Sequence, residues 1–343
     1  MDLESCERVL IVKPSSLGDV IHTVPALGAL RAQLPEATID WLINPEWAPL
    51  IAGSEALDDT IIFPRKDFRG ITGLNRARRW AQETFAERHY DLALDFQGLF
   101  RSGWLTRASR APQRVGFRQS REGARLAYTM KVDLPDWKSR HAVSRNLALV
   151  ESLGVPLGAD AAAHYPLAGG EPMPDLPDVP FVALHPFSRG IGKSLGKADV
   201  IELVEALAPH PVVLLGNRSP YELLDGPANL VSLIGRTSLT QLISVLSDAS
   251  YIISVDSGPM HLAAAVTDRV LSIHTWSNPA MVGPHRSGAF VFREGEILSF
   301  DELDANDFPE ERQRRPEWAS AERILDGPDI DLIASHIHSQ ISP

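Results

Sequence analysis

Ser15, Ser16, Asp19 and His22 stand directly after the apolar run Val9-Leu10-Ile11-Val12, inside the stretch VLIVKPSSLGDVIHTVP. Four apolar residues are too few for a helix and read as a buried strand, which Pro14 ends by removing a backbone donor. In an open parallel sheet, ligands bind just past the carboxyl ends of the strands, where the free N–H groups of the next helix favour negative charge. Asp19 in that place has two readings on residue type alone: a cap of the helix N-terminus, or a proton acceptor held at a ligand site. Pro25 falls six residues into the helix, where it clashes with the carbonyl of Ile21. The turn carrying Asp19 and His22 is therefore expected to be set off from the helix behind it.

The second half of the chain offers two more loops of this kind. In HPFSRGIGK, residues 185–193, Ser188, Arg189, Gly190, Gly192 and Lys193 suit an oxyanion, although a glycine-rich turn with a lysine also occurs as plain surface loop. In YIISVDSGPMHLAAA, residues 251–265, an apolar strand ends at Asp256, and Ser257-Gly258 form the turn. Pro259 takes a first-turn helix position with His261 behind it. The free N–H groups of that helix would hold a diphosphate, with His261 as a further donor. The plain alternative is that Asp256 or Ser257 caps the helix and His261 bonds to backbone.

The elements that position these loops alternate between strand and helix. Strands are expected at 9–12, 38–43, 60–63, 91–95 and 114–117. Helices are expected to about 34, at 73–89, from 96 to about 108 and at 139–153, with a short one at 45–52. Seven prolines and glycines between 166 and 180 forbid regular structure and mark a linker. The alternation then restarts, with strands at 181–185, 211–215, 230–234 and 251–255 and helices at 198–207 and 239–248. Domains are thus expected at 1–165 and 181–316 with a linker at 166–180. A terminal helix within 317–343 is expected to pack back on the N-terminal domain. Two α/β halves joined by a hinge imply a cleft between them.

At 343 residues, with 44% hydrophobic and 22% charged residues, the composition is that of a globular protein with room for two cores. No apolar stretch approaches the roughly 20 residues that span a bilayer. The acidic start MDLESCER lacks the order of a signal peptide, so a cytoplasmic location is expected. The one cysteine, Cys6, cannot form an internal disulfide. The net charge of −11 hides an asymmetry: residues 65–145 hold 18 Lys/Arg against 8 Asp/Glu, and the rest 15 against 36. A basic patch facing an anionic partner is expected. The stretch has no nucleic-acid recognition motif and little aromatic interleaving, which favours an anionic lipid or phosphorylated glycan over nucleic acid.

KPSSLGDVIHTVPAL, DFQGL at 95–99, VGFRQSREG at 115–123, the Lys193 loop and SVDSGPMHLAAA at 254–265, in this order, resemble the lipopolysaccharide heptosyltransferases of glycosyltransferase family 9, type I above all. The resemblance covers nearly the whole chain. It implies an α/β protein of GT-B architecture, two Rossmann-like domains facing across a cleft. The activity implied is an inverting transfer from an ADP-heptose donor to a Kdo sugar of a lipid A precursor, without metal or other cofactor, at the inner face of the cytoplasmic membrane. By motif, Asp19 takes the place of the catalytic carboxylate. Lys193, Asp256, Ser257, Gly258 and His261 match donor-binding positions, with Ser188 and Glu222 beside them; Ser15, Ser16 and Gly18 line the same cleft. Arg65, Lys66, Arg69, Gln97, Arg118 and Arg121 fall where the family meets its acidic acceptor. Lys193 would also stabilise the leaving diphosphate.

The chain departs from the pattern after Lys193, where KSLGK replaces the family's Trp-Pro and brings in a competing Lys197. It departs again at 277–286, where SNPAMVGPHR replaces a T-x-P motif. The only Asp-x-Asp, at Asp329 and Asp331, heads the terminal helix and reads as a cap. Two other readings are a GT-B transferase or epimerase acting on another sugar nucleotide, and an inert protein that binds a nucleotide sugar or glycolipid. A nicotinamide dehydrogenase is disfavoured, because the first loop lacks G-x-G-x-x-G.

Overall fold

Short apolar runs separated by amphipathic segments of about ten residues can bury both faces of a strand only by laying helices on each side of a parallel sheet. A computed structural model shows this twice. It describes residues 3, 5–70, 72–189, 192–218, 226–308 and 323–341. The chain divides into two compact units, 1–169 and 170–343, with the division inside the Pro/Gly-rich stretch.

In the first unit the strands are β1 (Arg8–Val12), β2 (Thr38–Ile43), β3 (Asp59–Ile62), β4 (Leu92–Asp95), β5 (Gln113–Phe117) and β6 (Met130–Val132). The helices are α1 (Leu17–Ile21), α2 (Val24–Gln33), α3 (Gly73–Thr84), α4 (Phe100–Ala108) and α5 (Ala142–Glu151). All pairings are parallel, in the order β3-β2-β1-β4-β5-β6. Leu10, Val12, Leu42, Ile61, Ala93 and Leu105 meet in its core. The break at Pro25 is present: α1 stops at Ile21, and α2 begins at Val24 with Pro25 in its first turn, where a missing N–H costs nothing. The short helix expected at 45–52 shrinks to a 3-10 turn, Ala48–Leu50. The three-residue β6 carries too little pattern to be read from sequence.

The second unit contains β7 (Val182–His185), β8 (Val212–Leu214), β9 (Leu230–Ser232), β10 (Tyr251–Val255), β11 (Val270–Ile273), β12 (Phe290–Arg293) and β13 (Glu296–Ser299). Its helices are α6 (Lys197–Ala206), α7 (Leu239–Asp248), α8 (Gly258–Val266), α9 (Pro279–Val282) and α10 (Gly327–Gln340). The order is β13-β12-β11-β10-β7-β8-β9, parallel except for the β12–β13 hairpin. Each sheet starts in the middle, builds outward to one side, then crosses back and builds to the other, which is the Rossmann order.

The terminal helix α10 buries Ile330, Ile333, Ala334 and Ile337 in the second unit's own core, with Leu203 and Val204 of α6. Its apolar face is thus used within that unit, where the sequence pointed to the N-terminal domain. Asp326 and Asp329 cap its start reciprocally. The buried Asp199 fixes the approach to it, accepting from Gly196 N at the head of α6 and from Ile324 N and Leu325 N just ahead of α10.

Replacing Asp199 by Ala would strand these three N–H groups. The unfolding free energy of the second unit should fall by about 2 to 4 kcal/mol, while Asp199→Asn, which keeps an acceptor oxygen, should lose about half as much or less. Denaturant titrations of the two variants check this, and equal stability of wild type and alanine variant would contradict it.

Candidate functional site

In the first sheet the strand order reverses between β1 and β4, and the loops after these strands are tied together at their carboxyl ends. The buried Lys13, last residue before Pro14, donates from Nζ to Phe96 O at 2.9 Å. Ser15 N lies 3.4 Å from Gln97 Oε1. Asp19 projects from α1 with its Oδ2 accepting from Ser16 N (3.0 Å) and Ser16 Oγ (2.8 Å). Its Oδ1 lies 3.8 Å from Lys13 Nζ. The cap reading of Asp19 is therefore realised, yet its side chain remains 48% exposed while Lys13 is 7% exposed. The carboxylate is thus anchored through Oδ2 and still meets solvent over about half its surface. His22 stacks edge-on against His141, ring centroids 5.5 Å apart, and Asn146 Nδ2 holds the His22 carbonyl at 2.9 Å.

The DFQGL segment is built on the fully buried Asp95. Its carboxylate accepts from Gln97 N, Gly98 N, Ser102 Oγ and Tyr128 OH. Burial pushes its pKa up against the pull of those donors. Gly98 sits at φ +66°, and a Cβ there would meet Ser120 Oγ at 2.6 Å, so the turn that presents Gln97 requires glycine.

Because every strand here is parallel, the loops after β3, β4 and β5 open on the same edge as Asp19. Arg65 and Lys66 lie on the turn Arg65–Phe68 after β3, and Arg69 follows it. Arg118 and Arg121 lie on the loop after β5, Arg121 N bonding to Gly98 O at 2.8 Å. Lys66 is paired with Glu46 at 2.7 Å and Arg118 with Asp133 at 3.3 Å. Burial, and then the charge of Arg65, lower the pKa of the Arg101 guanidinium.

The second sheet reverses between β7 and β10, and a second polar cluster gathers there. Lys193 is ion-paired with the buried Asp256 and lies 4.3 Å over the ring of Trp276. Ser188 Oγ donates to Asp256 O at 3.0 Å, and Ser257 Oγ lies 3.3 Å from His185 Nδ1. Ser257 is the residue before α8, with Gly258 opening the helix and His261 buried within its first turn. Burial alone would raise the Asp256 carboxyl, but His274 and Lys193 beside it hold it below its usual range. Of the two plain alternatives, Asp256 as cap is not what its carboxylate does. Of the two lysines in this loop, Lys193 reaches Asp256, whereas Lys197 is exposed in the first turn of α6. Glu222 lies outside the described residues.

Sequence reasoning missed Lys13, His185, His274 and the Trp276 bracket. Thr275 Oγ1 donates to Gly192 O at 2.8 Å, so the segment after β11 braces the Lys193 loop on two sides. Gly192 itself is left-handed, φ +70°. For His274 and Trp276 the signal was available, since they follow the carboxyl end of a strand, but β11 was not delineated.

Residues 78–306 match the model of glycosyltransferase family 9 (heptosyltransferase). The chain is 30% identical over 292 residues, 81% of its length and 81% of the relative's, to lipopolysaccharide heptosyltransferase 1 of Pseudomonas aeruginosa. Its fold is similar to that of E. coli heptosyltransferase WaaC with ADP (TM-score 0.69, 27% identity, 88% of this chain and 97% of that one). It is also similar to the same enzyme with ADP-2-deoxy-2-fluoro heptose (TM-score 0.68, 26% identity, 87% and 96%).

Burial lowers the pKa of His185 from 6.5 to about 4. Between those values the unfolded chain binds a proton that the folded one does not. The stability tied to this histidine is therefore complete above about pH 6.5 and lost as pH falls towards 4, at about 1.4 kcal/mol per pH unit. Unfolding free energies measured across that window should show a shallower slope for His185→Asn than for wild type; parallel slopes would contradict a buried neutral imidazole.

Proposed function

From a chain that belongs to glycosyltransferase family 9 (heptosyltransferase), we infer an enzyme that moves heptose from ADP-heptose to a Kdo-lipid A type acceptor in lipopolysaccharide inner-core synthesis, with inversion and without a metal. The observation that carries this reading is the pair of polar clusters at the two points of strand reversal, one offering a half-open anchored carboxylate and the other a lysine with a helix N-terminus. The relatives support the substrates: one is named a lipopolysaccharide heptosyltransferase, and the WaaC structures are described with ADP and with a fluorinated ADP-heptose.

The second unit holds the nucleotide sugar. The N-terminus of α8, with Ser257, Gly258 and His261, meets the diphosphate, and Lys193 and Ser188 approach it from the loop after β7. The first unit holds the acceptor, with Arg65, Lys66, Arg69, Arg118 and Arg121 meeting its carboxylates and phosphates and Gln97 its hydroxyls. An acceptor hydroxyl attacks the anomeric carbon as the bond to the nucleotide's terminal phosphate oxygen breaks. The carbon gathers oxocarbenium character, Asp19 takes the hydroxyl proton, and the electron pair of the broken bond leaves on ADP. The charge developing on the diphosphate falls to Lys193 and the α8 dipole, so the step calls for no metal. Such an enzyme works in the cytoplasm, peripherally at the inner face of the membrane. Asp19 is favoured as base by its exposure: Ser16 fixes Oδ2 and aims the carboxylate without enclosing it.

Asp19→Asn keeps an oxygen for the Ser16 contacts, so melting temperature and donor affinity should stay near wild type while turnover falls by about two to four orders of magnitude. Near-normal turnover would remove Asp19 as base. Calorimetry of ADP with the lysine variants tests the other half: Lys193→Ala should weaken binding by about tenfold or more and slow transfer, and Lys197→Ala should do much less. The reverse ranking would move the donor contact to Lys197.

A further inference from the structure

The described residues of the first unit expose four large hydrophobic side chains, Ile62, Leu74, Phe100 and Leu126, and their placement is not scattered. Ile62 ends β3, Leu74 stands second in α3, and Phe100 is the first residue of α4, so all three lie where strands end and crossover helices begin. Leu126 ends the 3-10 turn Ala124–Leu126, which packs against the first turn of α4 so closely that a Cβ on Gly103 would lie 2.8 Å from Ala124 Cα. Phe100 is 65% exposed, Leu74 66% and Leu126 87%. Single exposed hydrophobics need no explanation; their gathering on the edge that carries Asp19 does.

The same edge carries the basic charge. Arg65, Lys66 and Arg69 precede Leu74 on the segment leading into α3 and Arg76 follows it within that helix, reaching Arg69 O at 2.7 Å. Arg101, Arg121 and Arg125 adjoin Phe100 and Leu126 in sequence or through the Phe100 N to Glu122 Oε2 bond at 3.2 Å. The acids present are few: Asp19 is engaged with Ser16 and Lys13, Glu46 and Asp133 with Lys66 and Arg118, Glu122 with the head of α4, and Asp67 lies in the turn itself. The remainder of the chain is acidic in sum, with 15 Lys/Arg against 36 Asp/Glu, so the basic stretch stands out as the part that an anionic surface attracts.

We propose that Leu74, Phe100 and Leu126 are membrane anchors, which enter the headgroup–acyl boundary of an anionic bilayer while the surrounding arginines meet its phosphates, setting the carboxyl edge of the first unit against the membrane. The pairing of exposed aliphatic and aromatic side chains with arginine is the chemistry of interfacial binding, in which apolar burial and attraction to anionic lipid add. This deepens the glycolipid-acceptor reading and rests on it for the kind of surface met. Its consequence is geometric: the edge bearing Asp19 faces the lipid in which the acceptor is embedded.

The test uses the full chain and vesicles of phosphatidylcholine with 30 mole per cent phosphatidylglycerol. Wild type should sediment with these and about tenfold less with pure phosphatidylcholine. The triple variant Leu74→Ser/Phe100→Ser/Leu126→Ser should lose about tenfold or more of the binding with unchanged melting temperature, because all three side chains face water. Its transfer to an acceptor dispersed in detergent should remain within about twofold of wild type, which separates a failed anchor from a failed transferase reading. Burial holds the Cys6 thiol at a pKa of about 11, so an environment-sensitive dye can be placed at Leu126→Cys alone, and its emission should shift to the blue on the anionic vesicles. Vesicle binding unchanged in the triple variant, no binding by wild type, or no dye shift would each overturn the proposal. So would a wild type found to be dimeric and a triple variant found to be monomeric with vesicle binding retained, since the patch would then cover a second copy.

Discussion

Everything in this protein that can do chemistry depends on where the strand order turns back. At β1 and β4 in one sheet, and β7 and β10 in the other, successive connections leave on opposite faces, so the loops after the two central strands are not covered by a helix running between them. Lys13 spans the first gap, bonding to the carbonyl of Phe96. Ser188 and the His185–Ser257 contact span the second. A one-residue shift of β1 would turn Lys13 away from Phe96 and carry the Ser16–Asp19 contact with it.

The polar groups needed there are held at a cost that the surrounding packing offsets. Asp95, His185 and His274 are buried deeply enough to shift their proton affinities, and each is met by named donors or acceptors. His274, its pKa lowered by burial to about 4, sits between Ser277 and Ser272 at 3.0 and 3.1 Å. Such satisfied buried networks fix loop geometry better than apolar contact, which has no direction. They explain how Gln97, Lys193 and Trp276 can be presented on loops with little freedom to wander.

The alternation of strand and helix, the loops at Asp19, Lys193 and Asp256, and the break at Pro25 were legible because each leaves a local mark: an apolar run, a proline, a glycine-bearing turn. Family membership was legible from motifs in order. What sequence could not show depends on distance in space. Lys13 looks like any strand-end lysine until Phe96 is beside it. The antiparallel β12–β13 pair and the three-residue β6 carry too little periodicity. The destination of the terminal helix is decided by α6, far off in sequence. Asp199, which fixes the approach to that helix, reads locally as an ordinary first-turn acid.

The central claim is that a carboxylate of the first unit draws a proton from an acceptor hydroxyl as that hydroxyl displaces a nucleoside diphosphate in one step. The stereochemistry at the transferred anomeric carbon tests it most directly, read by NMR from the one-bond carbon–proton coupling of that carbon in the donor and in the product made by the full chain. The account predicts the opposite anomeric configuration in the product. A product of unchanged configuration would require a second displacement and would contradict it.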